Sequence, residues 1–208
     1  MHLPDKLLSP EVWIPLAGVS AATVGICAHR AKARLADRSI PLVGVMGAFV
    51  FVLQMINFPI AAGVSDHIIG AALLAIIFGP SIAVLGMSAI VVIQALLFGD
   101  GGITALGANV CDMAVIPVFA AWAVYGALRR FQHEAAVAIA TFAAVALGAA
   151  AVSAWVMLSQ PYGARFFATM MLMHAVSGGV EAFVTVAVIG ALKRSGLVRT
   201  FALGMPDA

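Results

Sequence analysis

The chain has 208 residues, 63% of them hydrophobic and 10% charged, with a formal net charge of +2 and a mean hydropathy of +1.11. A soluble domain carries about 25% charged and about 45–50% apolar residues, so this composition excludes an ordinary soluble domain, and the small net charge gives no footing for nucleic-acid binding. The sequence contains no P-loop, no dinucleotide-binding glycine motif in a strand–helix setting and no HExxH, so it carries no recognisable machinery for hydrolysing ATP.

Residues 1–10, "MHLPDKLLSP", lack the basic and apolar regions of a signal peptide. Methionine removal generally needs a small second residue. His2 is not small, so Met1 is expected to remain, with a free amine after deformylation. Ser9-Pro10-Glu11 reads as a helix start, with Ser at the N-cap and Pro in the first turn. A first span then covers about 11–29 and a second about 40–56. Residues 68–98 carry no charge and are broken by Gly79-Pro80-Ser81, which predicts a hairpin of one short and one fuller span. Three more spans are expected at about 108–128, 134–158 and 166–192.

The basic residues orient these seven spans. Arg30, Lys32, Arg34, Arg38, Arg129, Arg130, Lys193, Arg194 and Arg199 fall on one side, nine of the eleven Lys and Arg, whereas Lys6 and Arg165 fall on the other. By the positive-inside rule the N-terminus lies outside and the C-terminus in the cytoplasm. The expected fold is therefore an all-α polytopic bundle of seven transmembrane helices. It forms one membrane domain over 1–208: an N-terminal segment (1–10), a bundle (11–192) and a cytoplasmic tail (193–208). Cys27 and Cys111 then lie at opposite sides of the bilayer, and no disulfide is expected.

Three groups of residues offer chemistry. The first is the N-terminus. The Met1 amine, the His2 backbone nitrogen once deprotonated, and His2 Nδ1 can form two fused chelate rings, a planar set suited to Ni(II) or Cu(II). The alternative is a surface histidine in a frayed terminus. The second is His67, which ends the outer loop "NFPIAAGVSDH" at the mouth of the bundle. The Gly63-Val64-Ser65-Asp66 stretch before it could orient its imidazole, or His67 could be an interfacial or capping residue. The third is the set of polar residues inside the spans. His174, Ser177, Gly178 and Glu181 share one face of the last helix, and Asn109 and Asp112 are three apart in the fifth. Either a polar pathway or ordinary interhelical hydrogen bonding fits them. Asp112 lies near the outer end, where solvation is a further expectation. Gln54 and Gln94 fit a structural role. Small residues in the first span (Ala17, Ala21, Gly25) fit close helix packing or a docking face for another membrane subunit.

The stretches "MHLPDKLLSP", "FVLQMINFPIAAGVSDHIIGAALLAIIFGP" (51–80) and "QALLFGDGGITALGANVCDMAV" (94–115) together resemble the CbiM/NikM family. These are the substrate-capturing membrane components (S components) of energy-coupling factor (ECF) transporters, ABC-type importers of cobalt and nickel. The resemblance covers more than a quarter of the chain and implies a seven-helix bundle with its N-terminus outside. It also implies that the metal is held by Met1 (amine), His2 (amide and imidazole) and His67, with Asn109 as a supporting residue, and the loop reading adds Ser65 and Asp66 as supports. Lys6, Asp66 and Asp112 depart from residues the family often carries at those positions, and none of these changes removes an implied ligand.

The implied protein is a transport component of a bacterial cytoplasmic (inner) membrane and no enzyme. Ni2+ or Co2+ is its substrate, with nickel favoured on planar geometry and no organic cofactor. Its implied partners are a membrane coupling (T) subunit, cytoplasmic ATPase subunits and a small extra membrane subunit. Three rival expectations stand beside it: a stand-alone channel or carrier using the His174/Glu181 stripe with Asp112, an intramembrane metalloprotease, and a purely structural subunit.

Overall fold

The computed structural model describes residues 1–32, 40–61 and 64–196. Arg34, Arg38, Arg199 and Gly63 lie outside the described residues. Eight α-helices follow the sequence blocks closely: α1 (Pro10–Lys32), α2 (Ile40–Gln54), α3 (Ala71–Phe78), α4 (Pro80–Ile93), α5 (Leu106–Val110), α6 (Ile116–Leu128), α7 (His133–Ser159) and α8 (Ala164–Arg194). The Ser9 carbonyl accepts from the amides of Val12 and Trp13, both at 3.0 Å, and Pro10 opens α1 where its missing N–H costs nothing. Gly79, at φ 78°, separates α3 from α4, and Pro80 starts the second arm as the hairpin reading required.

Five helical rods among the described residues are long and apolar enough to cross a membrane: Pro10–Lys32, Pro80–Phe98, Leu106–Leu128, His133–Ser159 and Ala164–Arg194. The fourth and fifth predicted spans run through π-helical turns, Gln94–Phe98 and Cys111–Val115. α2 has 15 residues and α3 has 8. At 1.5 Å per residue α3 reaches about 12 Å, well short of a hydrocarbon core of about 30 Å. All eight α3 residues are buried, which suits a helix that is hydrophobic on every side. α3 packs against α4, α6, α7 and α8 at the centre of the bundle. Outward-facing Leu97, Leu172, Val176 and Phe183 leave the outer faces of the long rods apolar, as a lipid environment requires.

The all-helical expectation misses one feature. The loop before His67 carries a short antiparallel hairpin, β1 (Phe58–Ala61) and β2 (Val64–Asp66), with Phe58 opposite Asp66. Cys27 and Cys111 are both free, as expected.

Candidate metal centre

The N-terminal segment is no frayed tail. Met1 and Leu3 are fully buried and His2 is 3% exposed, so the chain begins inside the end of the bundle. Leu3 is the pin. Its amide donates to Asn109 Oδ1 at 2.7 Å, and its carbonyl accepts from Asn109 Nδ2 at 3.1 Å and from the Gly102 amide at 2.8 Å. Asp5 extends the attachment by accepting from the Thr104 amide (2.8 Å) and hydroxyl (2.6 Å). Gln160 Nε2 donates to the Leu7 carbonyl at 3.0 Å. The loop 99–105 must come very close to the segment for this. Gly101 has φ 97°, and a Cβ there would sit 2.9 Å from Asn109 Nδ2 and 3.2 Å from His2 Cδ2.

Two π-helical turns aim polar side chains at the segment. Gln94 opens the turn Gln94–Phe98, and Asn109 lies just before the turn Cys111–Val115. His2 Nε2 donates to Gln94 Oε1 at 3.1 Å, which leaves the lone pair on Nδ1. That nitrogen has no hydrogen bond and faces Asp100 Oδ1 at 3.3 Å. A lone pair facing a carboxylate oxygen favours a cation between or beside them.

His67 arrives from the opposite side and is 2% exposed. The expectation of an interfacial residue is corrected here: the hairpin turns its ring inward. His67 Nδ1 donates to the Ile68 carbonyl at 2.9 Å, so the lone pair sits on Nε2, which is buried and without a hydrogen bond. A histidine with one nitrogen donating to a backbone carbonyl and the other free has the arrangement common to metal ligands. The two rings lie 4.9 Å apart between centroids, tilted by 31°. The Met1 amine donates to the Ser65 carbonyl at 2.5 Å, in β2 two residues before His67.

Electrostatics keep these nitrogens unprotonated. Burial lowers the Met1 amine from 8.0 to about 5, against the opposing pull of Asp66, Asp100 and Asp112. Burial, then the neighbouring amine, lowers His2 from 6.5 to about 3, and burial holds His67 well below 6.5. Near neutral pH the three groups therefore offer lone pairs. Among the described residues no three His, Cys, Asp or Glu side chains are grouped for metal binding. The nitrogens gathered here are the Met1 amine and the two imidazoles.

The remaining predicted residues divide. Ser65 meets Met1 through its carbonyl, and Asn109 grips Leu3. Asp66 turns away from the centre: its Oδ1 accepts from Ser177 Oγ at 3.0 Å and lies 3.3 Å from His174 Nε2. Glu181 accepts from the amides of Ile69 (2.6 Å) and Gly70 (2.9 Å). Asp112, expected near solvent, is fully buried and accepts from Trp155 Nε1 at 2.8 Å. α7 packs over it and removes the water that its place in the sequence suggested. Gln94, read only as structural, is the residue that sequence reasoning undervalued.

A family profile described as the cobalt uptake substrate-specific transmembrane region, CbiM, matches residues 2–197. The chain belongs to this family. It is 40% identical over 195 residues to a protein of Haloquadratum walsbyi named for metal transport, covering 90% of this chain and 88% of that one. It is 35% identical over 219 residues to the fused nickel transport protein NikMN of Rhodobacter capsulatus, covering 94% of this chain and 62% of that one. It is also 35% identical over 148 residues to the cobalt transport protein CbiM of Acetoanaerobium sticklandii, covering 69% of this chain and 61% of that one. The chain thus spans most of the Haloquadratum protein and about three-fifths of the other two. The crystal structure of a truncated transition metal transporter matches with a TM-score of 0.89 at 31% identity, over 94% of this chain and 99% of that one. These relatives are metal transport proteins, not enzymes. This chain is accordingly a multi-pass membrane component of cobalt or nickel transport.

Proposed function

We propose that this CbiM-family chain is the capture component of an ECF-type importer and that it takes nickel in preference to cobalt. The Met1 amine, the deprotonated His2 amide, His2 Nδ1 and His67 Nε2 would form four nitrogen donors in one plane, a geometry that suits Ni(II). One observation carries this reading. His2 and His67 approach to 4.9 Å between ring centroids, each with one buried nitrogen that has no hydrogen-bond partner, beside a buried amine. Ser65, Asp66, Asn109 and Gln94 support the donors from outside.

In this reading the five long rods, α2 and the short α3 make seven passes in a single domain. The metal end faces the outside and the basic ends face the cytoplasm of a bacterial cell. The sequence carries no recognisable nucleotide-binding motif, and in this reading a membrane coupling subunit and cytoplasmic ATPases would drive release. The rival pathway along His174 and Glu181 has less support, because both Glu181 oxygens accept backbone hydrogen bonds.

Equilibrium binding of radioactive nickel to the detergent-purified chain tests the proposal. About one ion per chain, with His2→Ala lowering affinity on the order of a thousandfold, is expected for loss of a chelating imidazole. Unchanged binding in His2→Ala would place the metal elsewhere.

A further inference from the structure

His67 is bracketed by one helix. On its N-terminal side, Asp66 Oδ1 accepts from Ser177 Oγ at 3.0 Å and lies 3.3 Å from His174 Nε2. On its C-terminal side, both oxygens of Glu181 accept backbone amides, those of Ile69 and Gly70. His174, Ser177 and Glu181 all belong to α8, and Asp66, His174 and Glu181 are buried to within 2%. Outside α8, Gln54 at the end of α2 donates to the Ile69 carbonyl.

A buried carboxylate at the start of a helix can serve only as a cap, and Glu181 does cap α3, whose N-cap residue is Gly70 at φ 77°. Capping, however, does not call for a second attachment on the other side of His67 from the same helix face. Both attachments together fix the backbone from 66 to 70 at two points, with His67 between them. His2 has no such tie to α8. Its partners are Gln94, at the end of α4, and Asp100, and its neighbour Leu3 is held by Asn109 and Gly102.

We propose that Glu181 is a positioning residue for metal capture: through Ile69 and Gly70 it sets where α8 holds His67 against the N-terminal nitrogens. This inference rests on the four-nitrogen reading given above. It makes α8 the element whose displacement would withdraw the fourth donor, and with it the Ser65 carbonyl beside the Met1 amine, while Gln94 keeps His2 and Asn109 keeps Leu3. The His174/Glu181 stripe is then an anchor for a ligand and not a route for ions.

A double-mutant cycle on the full chain with its native start tests this, with nickel affinity and the visible absorption of the nickel complex as readouts. Gln in place of Glu181 keeps the volume but can accept only through one oxygen, so one of the two amides loses its partner. Glu181→Gln is expected to weaken nickel binding about tenfold and to move the absorption band toward that of His67→Ala. In the His67→Ala background the same change is expected to do nothing further, because the positioned group is gone. Ser177→Ala, which loosens the other side of the bracket with less risk to folding, is expected to move the spectrum the same way by a smaller amount.

An equal loss from Glu181→Gln in both backgrounds would reduce Glu181 to a general cap and overturn the inference. So would wild-type affinity and spectrum in both Glu181→Gln and Ser177→Ala. Nickel binding that does not respond to His67→Ala at all would instead remove the four-nitrogen reading, and the inference with it.

Discussion

The two histidines meet at 4.9 Å but are delivered by different kinds of structure. His2 rides on a segment with no secondary structure, threaded into the bundle and pinned to α4, α5 and the 99–105 loop by side chains and glycine-lined close approaches. His67 rides on a β-hairpin loop clamped at two points by α8 and helped by α2. An extended segment held by a few hydrogen bonds is removable piece by piece, whereas a loop tied to a 31-residue helix moves with that helix. The difference teaches that the two histidines are positioned by separate parts of the bundle: docking of the N-terminus for His2, α8 for His67.

The largest expected effect breaks the N-terminal side. His2→Ala removes the donor that closes the second chelate ring, and nickel affinity is expected to fall on the order of a thousandfold. His67→Ala, which leaves three nitrogens on the chain, is expected to cost about a hundredfold. Side-by-side calorimetric titrations check the order, and equal losses would erase the distinction between the two regions.

pH sharpens the comparison next, because only the N-terminal segment carries the terminal amine. When undocked that amine titrates near 8.0, and when docked at about 5. Between those values the undocked segment holds a proton that the docked one lacks. The amine therefore weakens docking as pH falls from 8 toward 5, by about tenfold per unit, and its contribution levels off below about 5. His2, lowered from 6.5 to about 3, adds an effect of the same sign across its own lower range. Hydrogen exchange of the Leu3 amide in metal-free protein is expected to speed up from pH 8 to pH 6 after correction for intrinsic rates. Constant protection would contradict the buried neutral amine.

Asn109→Ala removes both side-chain hydrogen bonds to Leu3 and leaves its buried amide unpaired, at about 1–3 kcal/mol, while its carbonyl keeps the Gly102 amide. Increased protease sensitivity of residues 1–9 is expected, together with nickel affinity lowered about tenfold, while the His67 hairpin keeps its protection. Gly101→Ala is expected to have the mildest effect, about 1 kcal/mol, from left-handed strain and from crowding Asn109 and His2. A binding titration would show a loss of several-fold.

The sequence made the long rods legible because apolar runs and glycine–proline breaks are local signals: Gly79-Pro80 lies where the hairpin turns. Met1, His2 and His67 stood out through their chelating chemistry and the family resemblance, and the structure brings the three together in one buried place. Their supports were not. Gln94 meets His2 across 92 residues and Trp155 meets Asp112 across 43, and no residue pattern encodes such distant pairs. The π-helical turns that aim Gln94 and Asn109 are shifts of hydrogen-bond register with no signature in residue type. The β-hairpin was hidden because strands of four and three residues are too short to show alternation. Asp112 was misjudged because depth along one helix does not reveal which neighbour covers it.

Whether the metal sits on the first two residues is tested most directly by nickel stoichiometry and visible absorption on the purified chain with its native start. The comparison is the same chain carrying a short histidine-free extension before Met1. The extension converts the Met1 amine to an amide and has no room beside the Ser65 carbonyl. About one nickel per native chain with a square-planar spectrum, absent from the extended chain, is the predicted result. Equal stoichiometry and the same spectrum in both would contradict a site built on Met1 and His2.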